Sequence, residues 1–376
     1  MTVTNITIQL PPKGYISRRF IELSAISLIG VKVVGDELVI TNCVDLGESL
    51  TAVLNMLERR NSRNIFQTGN DRRYVTNKIA LHLGLNPGTT TTTLDILKAL
   101  SNIIKGKASD CIPKDLITTQ LTTLNILKAN FYEYGRTYLT RPDEEYISVN
   151  KLPIITQLLA ILGVLIADVG RDEETHYYLL PPEGISGEAQ AIQDILKIYN
   201  QTHRVLQDYR GMPNVLITLG VASSLVKAGY ERDVIAGELV GIQESGNRAT
   251  VRFVEPISTE GLISLINSVG MPSSQRLADS LKVLCDVAIN LLRAGRSSIA
   301  SIVVKIASDL IIYSRTKSPD FLYSAISLLR RLSDEIRMSK SEPIIDFKGR
   351  LMELGVERPA DWLLRLTNLL IHLMEC

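Results

Sequence analysis

Between Leu152 and Ala167 the chain runs for about 16 residues without a charged side chain, interrupted by polar groups only at Thr156 and Gln157. A helix that is apolar on every side is stable only where other elements enclose it. The run falls short of the roughly 20 residues that cross a bilayer, so it is expected to be a core helix. The remaining chain can supply that enclosure, since 45% of its 376 residues are hydrophobic. Two domains are expected at this length.

Before the apolar run the pattern is mixed. Ile6, Ile8 and Leu10 alternate as in a half-buried strand, ended by Pro11-Pro12. A helix is expected from about Ser17 to Leu28, then a hairpin over residues 31–40 about Gly35-Asp36. A further helix spans about Leu46 to Arg60, and a polar loop leads into Arg72-Arg73-Tyr74. Threonines 89–93 follow Pro87-Gly88, and one of them is expected to cap the next helix. Thr92-Thr93-Leu94-Asp95-Ile96-Leu97-Lys98-Ala99 returns as Thr122-Thr123-Leu124-Asn125-Ile126-Leu127-Lys128-Ala129. Two copies are too few for a stacked repeat, so the echo is read as coincidence.

After the run, Thr175 to Leu180 reads as a strand and about Glu188 to Tyr209 as a long amphipathic helix. Val234–Leu239 and Ala249–Val254 flank a Gly246-Asn247 turn as a second hairpin, and a short helix ends near Gly270. From Pro272 nothing resembles strand. Helices are expected at about Ser274–Ala294, Ser297–Tyr313, Pro319–Arg337, Ile344–Leu354 and Pro359–Met374, with Ser318 capping before Pro319. The fold class is therefore α+β and predominantly helical. An α/β region with short hairpins, residues 1–270, precedes a helical bundle, residues 271–376.

Net charge is only +1, but it is segregated. Ten acidic residues stand against Lys151 and Arg171 from Pro142 to Asp194. Between Arg59 and Lys78 six cations (Arg59, Arg60, Arg63, Arg72, Arg73, Lys78) face only Asp71. Guanidinium forks for phosphates, amides at Asn61, Asn64, Gln67 and Asn70, and the rings of Phe66 and Tyr74 make this stretch the leading nucleic-acid-binding candidate. An ordinary charged loop with ion pairs elsewhere is the alternative. A second cationic bias, eleven Lys/Arg against six Asp/Glu from Arg293 to Arg350, includes Arg330, Arg331 and Arg337, and reads equally as a solvated face. A hairpin tip with Asn247 and Arg248 has a shape that enters a groove, although Gly-Asn is also what a tight turn demands.

No catalytic motif emerges. His82, His176, His203 and His372 are scattered, and the doublets Glu144-Glu145 and Glu173-Glu174 sit in polar segments, where a solvated surface is the simpler account than a Mg²⁺ site. No metal, cofactor or catalytic residue is expected, leaving only an enzyme with a dispersed site as a catalytic alternative. Cys43, Cys111, Cys285 and Cys376 form no C-x-x-C pair, and the start carries no secretory pattern, so they read as reduced thiols of a cytoplasmic protein. The excess of Ile and Leu over aromatic residues fits a thermophilic source.

Four strings, taken in order, carry a resemblance. They are Ser27-Leu28-Ile29-Gly30-Val31-Lys32-Val33, Asn70-Asp71-Arg72-Arg73-Tyr74, Tyr177-Tyr178-Leu179-Leu180-Pro181-Pro182-Glu183-Gly184, and Gly246-Asn247-Arg248 leading to Phe253-Val254-Glu255. In length, order and style the chain resembles the large subunit of archaeal subtype I-A CRISPR interference (Cascade) complexes. The resemblance implies a non-catalytic subunit near the 5′ handle of the crRNA. Such a subunit helps recognise the protospacer-adjacent motif on target DNA, assists R-loop formation, and contacts other Cascade subunits and the helicase-nuclease. In such complexes base pairing reads the sequence, and protein supplies motif recognition and backbone charge. A structural scaffold that binds only proteins is the alternative from a different class.

Overall fold

The computed structural model describes residues 6–11, 14–59, 69–86, 91–105, 112–124, 126–128, 151–171, 175–181, 189–231, 237–245 and 248–374. Within them the fold is α+β and predominantly helical, with small antiparallel sheets before a wholly helical C-terminal region.

In chain order the elements begin with β1 (Ile6–Gln9), α1 (Ile16–Ser27), β2 (Val31–Val34), β3 (Glu37–Ile40) and α2 (Cys43–Arg59). Next come α3 (Gly69–Tyr74), a π turn (Val75–Ile79), α4 (Ala80–His82), α5 (Thr93–Lys105), α6 (Lys114–Thr118) and β4 (Gln120–Thr122). They are followed by β5 (Lys151–Pro153), α7 (Ile154–Ala167), β6 (Asp168–Arg171), β7 (Thr175–Leu180), α8 (Ala189–Tyr209) and α9 (Asn214–Lys227). The chain continues with β8 (Gly237–Ser245), β9 (Arg248–Ile257) and α10 (Leu262–Asn267). The last five helices are α11 (Ser273–Arg293), α12 (Ser297–Thr316), α13 (Pro319–Met338), α14 (Glu342–Glu353) and α15 (Pro359–His372).

The elements form two compact units, one of residues 1–199 with 237–255 and the other of residues 200–236 with 256–376. The C-terminal helices expected as a bundle from 271 thus belong to a unit that begins earlier in the chain and is discontinuous, because α9 packs against both α11 and α12.

The first unit is built around the apolar run. Every residue of α7 is buried, and so is every residue of α1, which packs along it. Gly163 makes this approach possible, since a Cβ there would lie 1.9 Å from the Phe20 carbonyl oxygen. Ser24 adds a hydrogen bond to the Leu159 carbonyl at 2.6 Å. Burying α1 entirely also buries its charges, which are paired. Arg18 donates to Glu22 (2.9 Å), to Asp36 (2.7 Å) and to the Gly35 carbonyl (2.9 Å), pinning the β2–β3 turn against α1. Arg19 donates to Glu238 at 2.9 Å and to the Pro181 carbonyl.

The sheets are small: β1-β3-β2, β4-β5 and β6-β7-β8-β9. Gly35, with φ +60°, makes the expected turn between β2 and β3. The first strand of the second hairpin lies later than 234–239, at Gly237–Ser245. Gly241 sits within it because the Phe253 ring occupies the space of a side chain, 2.2 Å from where a Cβ would be. The echo does not repeat in structure. Its first copy is the start of α5, and its second leaves β4 for a single 3-10 turn, Ile126–Lys128.

From α11 onward the helices match the expected segments to within a few residues, whereas α9 was not expected, and no described residue beyond Ile257 is strand. Ser318 stands at the N-cap of α13 but makes no side-chain capping bond, leaving Pro319 to mark the start. The buried carboxylate of Asp309 on α12 accepts from Ser324 of α13 at 2.7 Å and pairs with Lys305. Among the described residues α12 alone is long and apolar enough to cross a membrane, and half of that stretch is buried within the fold.

One expectation is overturned. Cys43, the first residue of α2, is disulfide-bonded, whereas Cys285 is a free buried thiol. Separation along the chain places no bound on separation in space, which is why the absence of a C-x-x-C pair did not exclude a bond.

Candidate nucleic-acid interface

The basic stretch becomes helical from Gly69 onward, so Arg72, Arg73 and Tyr74 lie on helix rather than at the end of a loop. Asp71 occupies the first turn, where a carboxylate favours the positive end of the helix dipole. It is buried, and its Oδ2 accepts from the Ile126 amide at 3.4 Å. The π turn follows directly, with the Ala80 amide donating five residues back to Val75. Such insertions are frequent at functional sites. Val75, Ile79 and Ala80 face the core, while Arg73, Asn77, Lys78, Leu81 and His82 are exposed.

Tyr74 is half-buried and held. Burial pushes its hydroxyl above the ordinary value, and hydrogen bonds with Thr122 oppose the shift. The Lys78 ammonium lies 5.2 Å from the centre of its ring, a cation–π contact. One face of the ring expected to stack on bases is therefore already covered by a cation, and the two side chains present a joint surface.

Arg59 ends α2, exposed and in the turn where the helix dipole favours a cation. It makes no ion pair among the described residues. Helix α5 packs against both α2 and the π turn, so Arg59, Arg73 and Lys78 belong to one helical cluster within the first unit. That cluster carries two cations not singled out in the sequence. Lys98 pairs with Glu58 at 2.6 Å, and Lys105 is exposed at the end of α5. Their seven-residue spacing along one face of an amphipathic helix was the available clue.

Arg60, Arg63 and Asn247 lie outside the described residues, as do the side chains of Arg72 and Arg248, although the backbone places Arg72 in α3 and Arg248 at the start of β9. Of the ten acidic residues from Pro142 to Asp194, all side chains but that of Asp168 lie outside them too.

In the second unit, the C-terminal cationic bias is partly neutralised. Arg331 pairs with Glu335 (2.8 Å), Arg337 with Asp361 (3.0 Å), Arg296 with Glu342 (2.6 Å) and Arg350 with Glu353 (2.9 Å). Arg330 is exposed without an ion pair among the described residues. Among those residues no three His, Cys, Asp or Glu side chains gather as a metal site.

No family model matches the chain, and no curated protein matches it.

Proposed function

We propose that this chain is a non-catalytic, cytoplasmic nucleic-acid-binding subunit of an RNA-guided interference complex. Its partners are then crRNA, target DNA, the other Cascade subunits and the helicase-nuclease. The choice of complex rests on the sequence resemblance. The observation that supports nucleic-acid binding is the exposed face of residues 73–82, with Arg73, Asn77 and Lys78 on a helical turn backed by buried Val75 and Ile79. Cations held on a rigid helix lose little freedom when a phosphate docks, which suits backbone contact. Arg59 extends the same cluster, and Arg60, Arg63, Arg72, Asn247 and Arg248 complete the proposed contact set.

The test is retention of labelled RNA carrying a crRNA-type handle, and of duplex DNA, on a filter at low salt. The wild-type chain, alone or with co-purified partners, is expected to retain one or both, and a variant with Arg72→Ala and Arg73→Ala to lose most of that retention. Absence of retention in both settings overturns the reading.

A scaffold that binds only proteins is favoured by a different observation, the exposed side chains of Tyr323 and Met338 on α13 and of Ile345 and Met352 on α14. That reading predicts partner binding unchanged by nuclease treatment.

A further inference from the structure

The second unit contains a cavity of about 310 Å³ between α8, α9 and α11, away from every residue assigned above. Helix periodicity builds it. Gln201, Arg204 and Asp208 recur at three and four residues along one face of α8, and Ser224 and Lys227 do the same on α9, with Lys282 supplied by α11. Gly220 lets the Tyr209 ring pack against α9, since a Cβ there would lie 2.2 Å from Cε2.

The cations are differently placed. Lys282 is held by Asp286 at 2.8 Å and lies 5.7 Å from the centre of the Tyr209 ring, whose hydroxyl donates to the same carboxylate at 2.5 Å. Lys227 pairs with Asp279 at 2.5 Å. Arg204 makes no ion pair among the described residues, and neither does Asp208, so both charges are open to a ligand. The hydroxyl oxygen of Ser224 is buried and has no hydrogen-bond partner among them. Asp208 is the one carboxylate of the lining.

This lining matches a phosphate bearing a hydroxylated carbon skeleton. Arg204, Lys227 and Lys282 face the phosphate oxygens, and Ser224 donates to them. Asp208 and the Gln201 amide accept from alcohols that a bare phosphate lacks. The apolar wall is only Val205 and Ala228, which offer no ring on which a base would stack. We infer that the cavity between α8, α9 and α11 is a binding site for a sugar phosphate, either a free one or the ribose-phosphate unit of an RNA strand.

Calorimetric titration of the full-length protein with ribose 5-phosphate tests this, with inorganic phosphate and ribose as separate probes. Saturable binding of ribose 5-phosphate is expected, tighter than that of phosphate, with none for ribose. Arg204→Ala is expected to weaken it about tenfold, the effect of losing hydrogen bonds to a charged group. Asp208→Ala is expected to abolish the preference over phosphate. Both residues are on the outer side of a helix, and circular dichroism checks that the variants fold. Competition by a short RNA identifies the strand as the source, and binding without such competition identifies the free ester. No saturable binding of ribose 5-phosphate, or binding indifferent to Arg204→Ala and Lys282→Ala together, overturns the assignment. Arg73→Ala leaves ribose 5-phosphate binding intact, which separates failure here from failure of the nucleic-acid reading above.

Discussion

Tyr209 and Cys285 are among the residues whose chemistry depends on burial. Burial first, and neighbouring acidic groups after it, raise the Tyr209 hydroxyl above its ordinary value of 10.0, and burial raises the Cys285 thiol above 9.0. In each case the folded protein holds a proton that the unfolded chain releases more readily. The corresponding stability is present in full below the ordinary values and declines as pH rises through them. Denaturant unfolding is therefore expected to show a lower midpoint above pH 9.0 than at neutrality, and Tyr209→Phe to flatten part of that decline. The same substitution removes the hydrogen bond to Asp286 and is expected to cost about 1.5–3 kcal/mol at neutral pH. A pH-independent midpoint would contradict this. At this scale the sequence was least informative. Arg18 and Arg19 read as two ordinary cations because their partners Asp36 and Glu238 are 18 and 219 positions away. Arg204 and Lys282 meet only through tertiary packing.

Among the elements, α1 and α7 show how a single atom decides a packing. Gly163→Ala places a methyl group into the Phe20 backbone, which has no side-chain freedom to yield. A loss of about 1–3 kcal/mol is expected in thermal or denaturant unfolding, and an unchanged midpoint would contradict the crossing described. The starts of α2 and α5 show what local sequence does encode. Asn42 accepts from the Val44 and Asp45 amides at 3.0 and 3.3 Å, which begins α2 at Cys43, earlier than the expected Leu46. Thr92 and Asp95 cap α5 reciprocally: the Asp95 amide donates to Thr92 Oγ1 at 3.2 Å, and the Thr92 amide to Asp95 Oδ2 at 2.8 Å. Asp95→Ala is expected to cost about 0.5–2 kcal/mol, measured as a fall in the unfolding midpoint. The same eight-residue pattern at 122–129 becomes no such helix, because Thr122 is paired into β4 opposite Lys151 and hydrogen-bonded with Tyr74. Tertiary pairing there outweighs local propensity.

For the whole molecule, the apolar run and the strand-free C-terminal third made the fold class legible, since both depend on periodicity alone. The discontinuous composition of the two units was not legible, because it depends on which helices share a core. The disulfide at Cys43 was equally hidden. Titration of the denatured protein is therefore expected to find fewer thiols before reduction than the four it finds after. Finding four before reduction would contradict the bond. The candidate interface was half legible. Charge density marked the stretch, but the π turn and the contribution of α5 came only with the fold. The central claim, that Arg59, Arg73 and Lys78 contact nucleic-acid phosphates, is tested most directly by the salt dependence of binding to RNA or duplex DNA. Each phosphate neutralised contributes close to one unit to the slope of log affinity against log salt. Replacing all three cations with alanine is predicted to lower that slope by about three units, and a slope unchanged by the triple substitution would contradict the account.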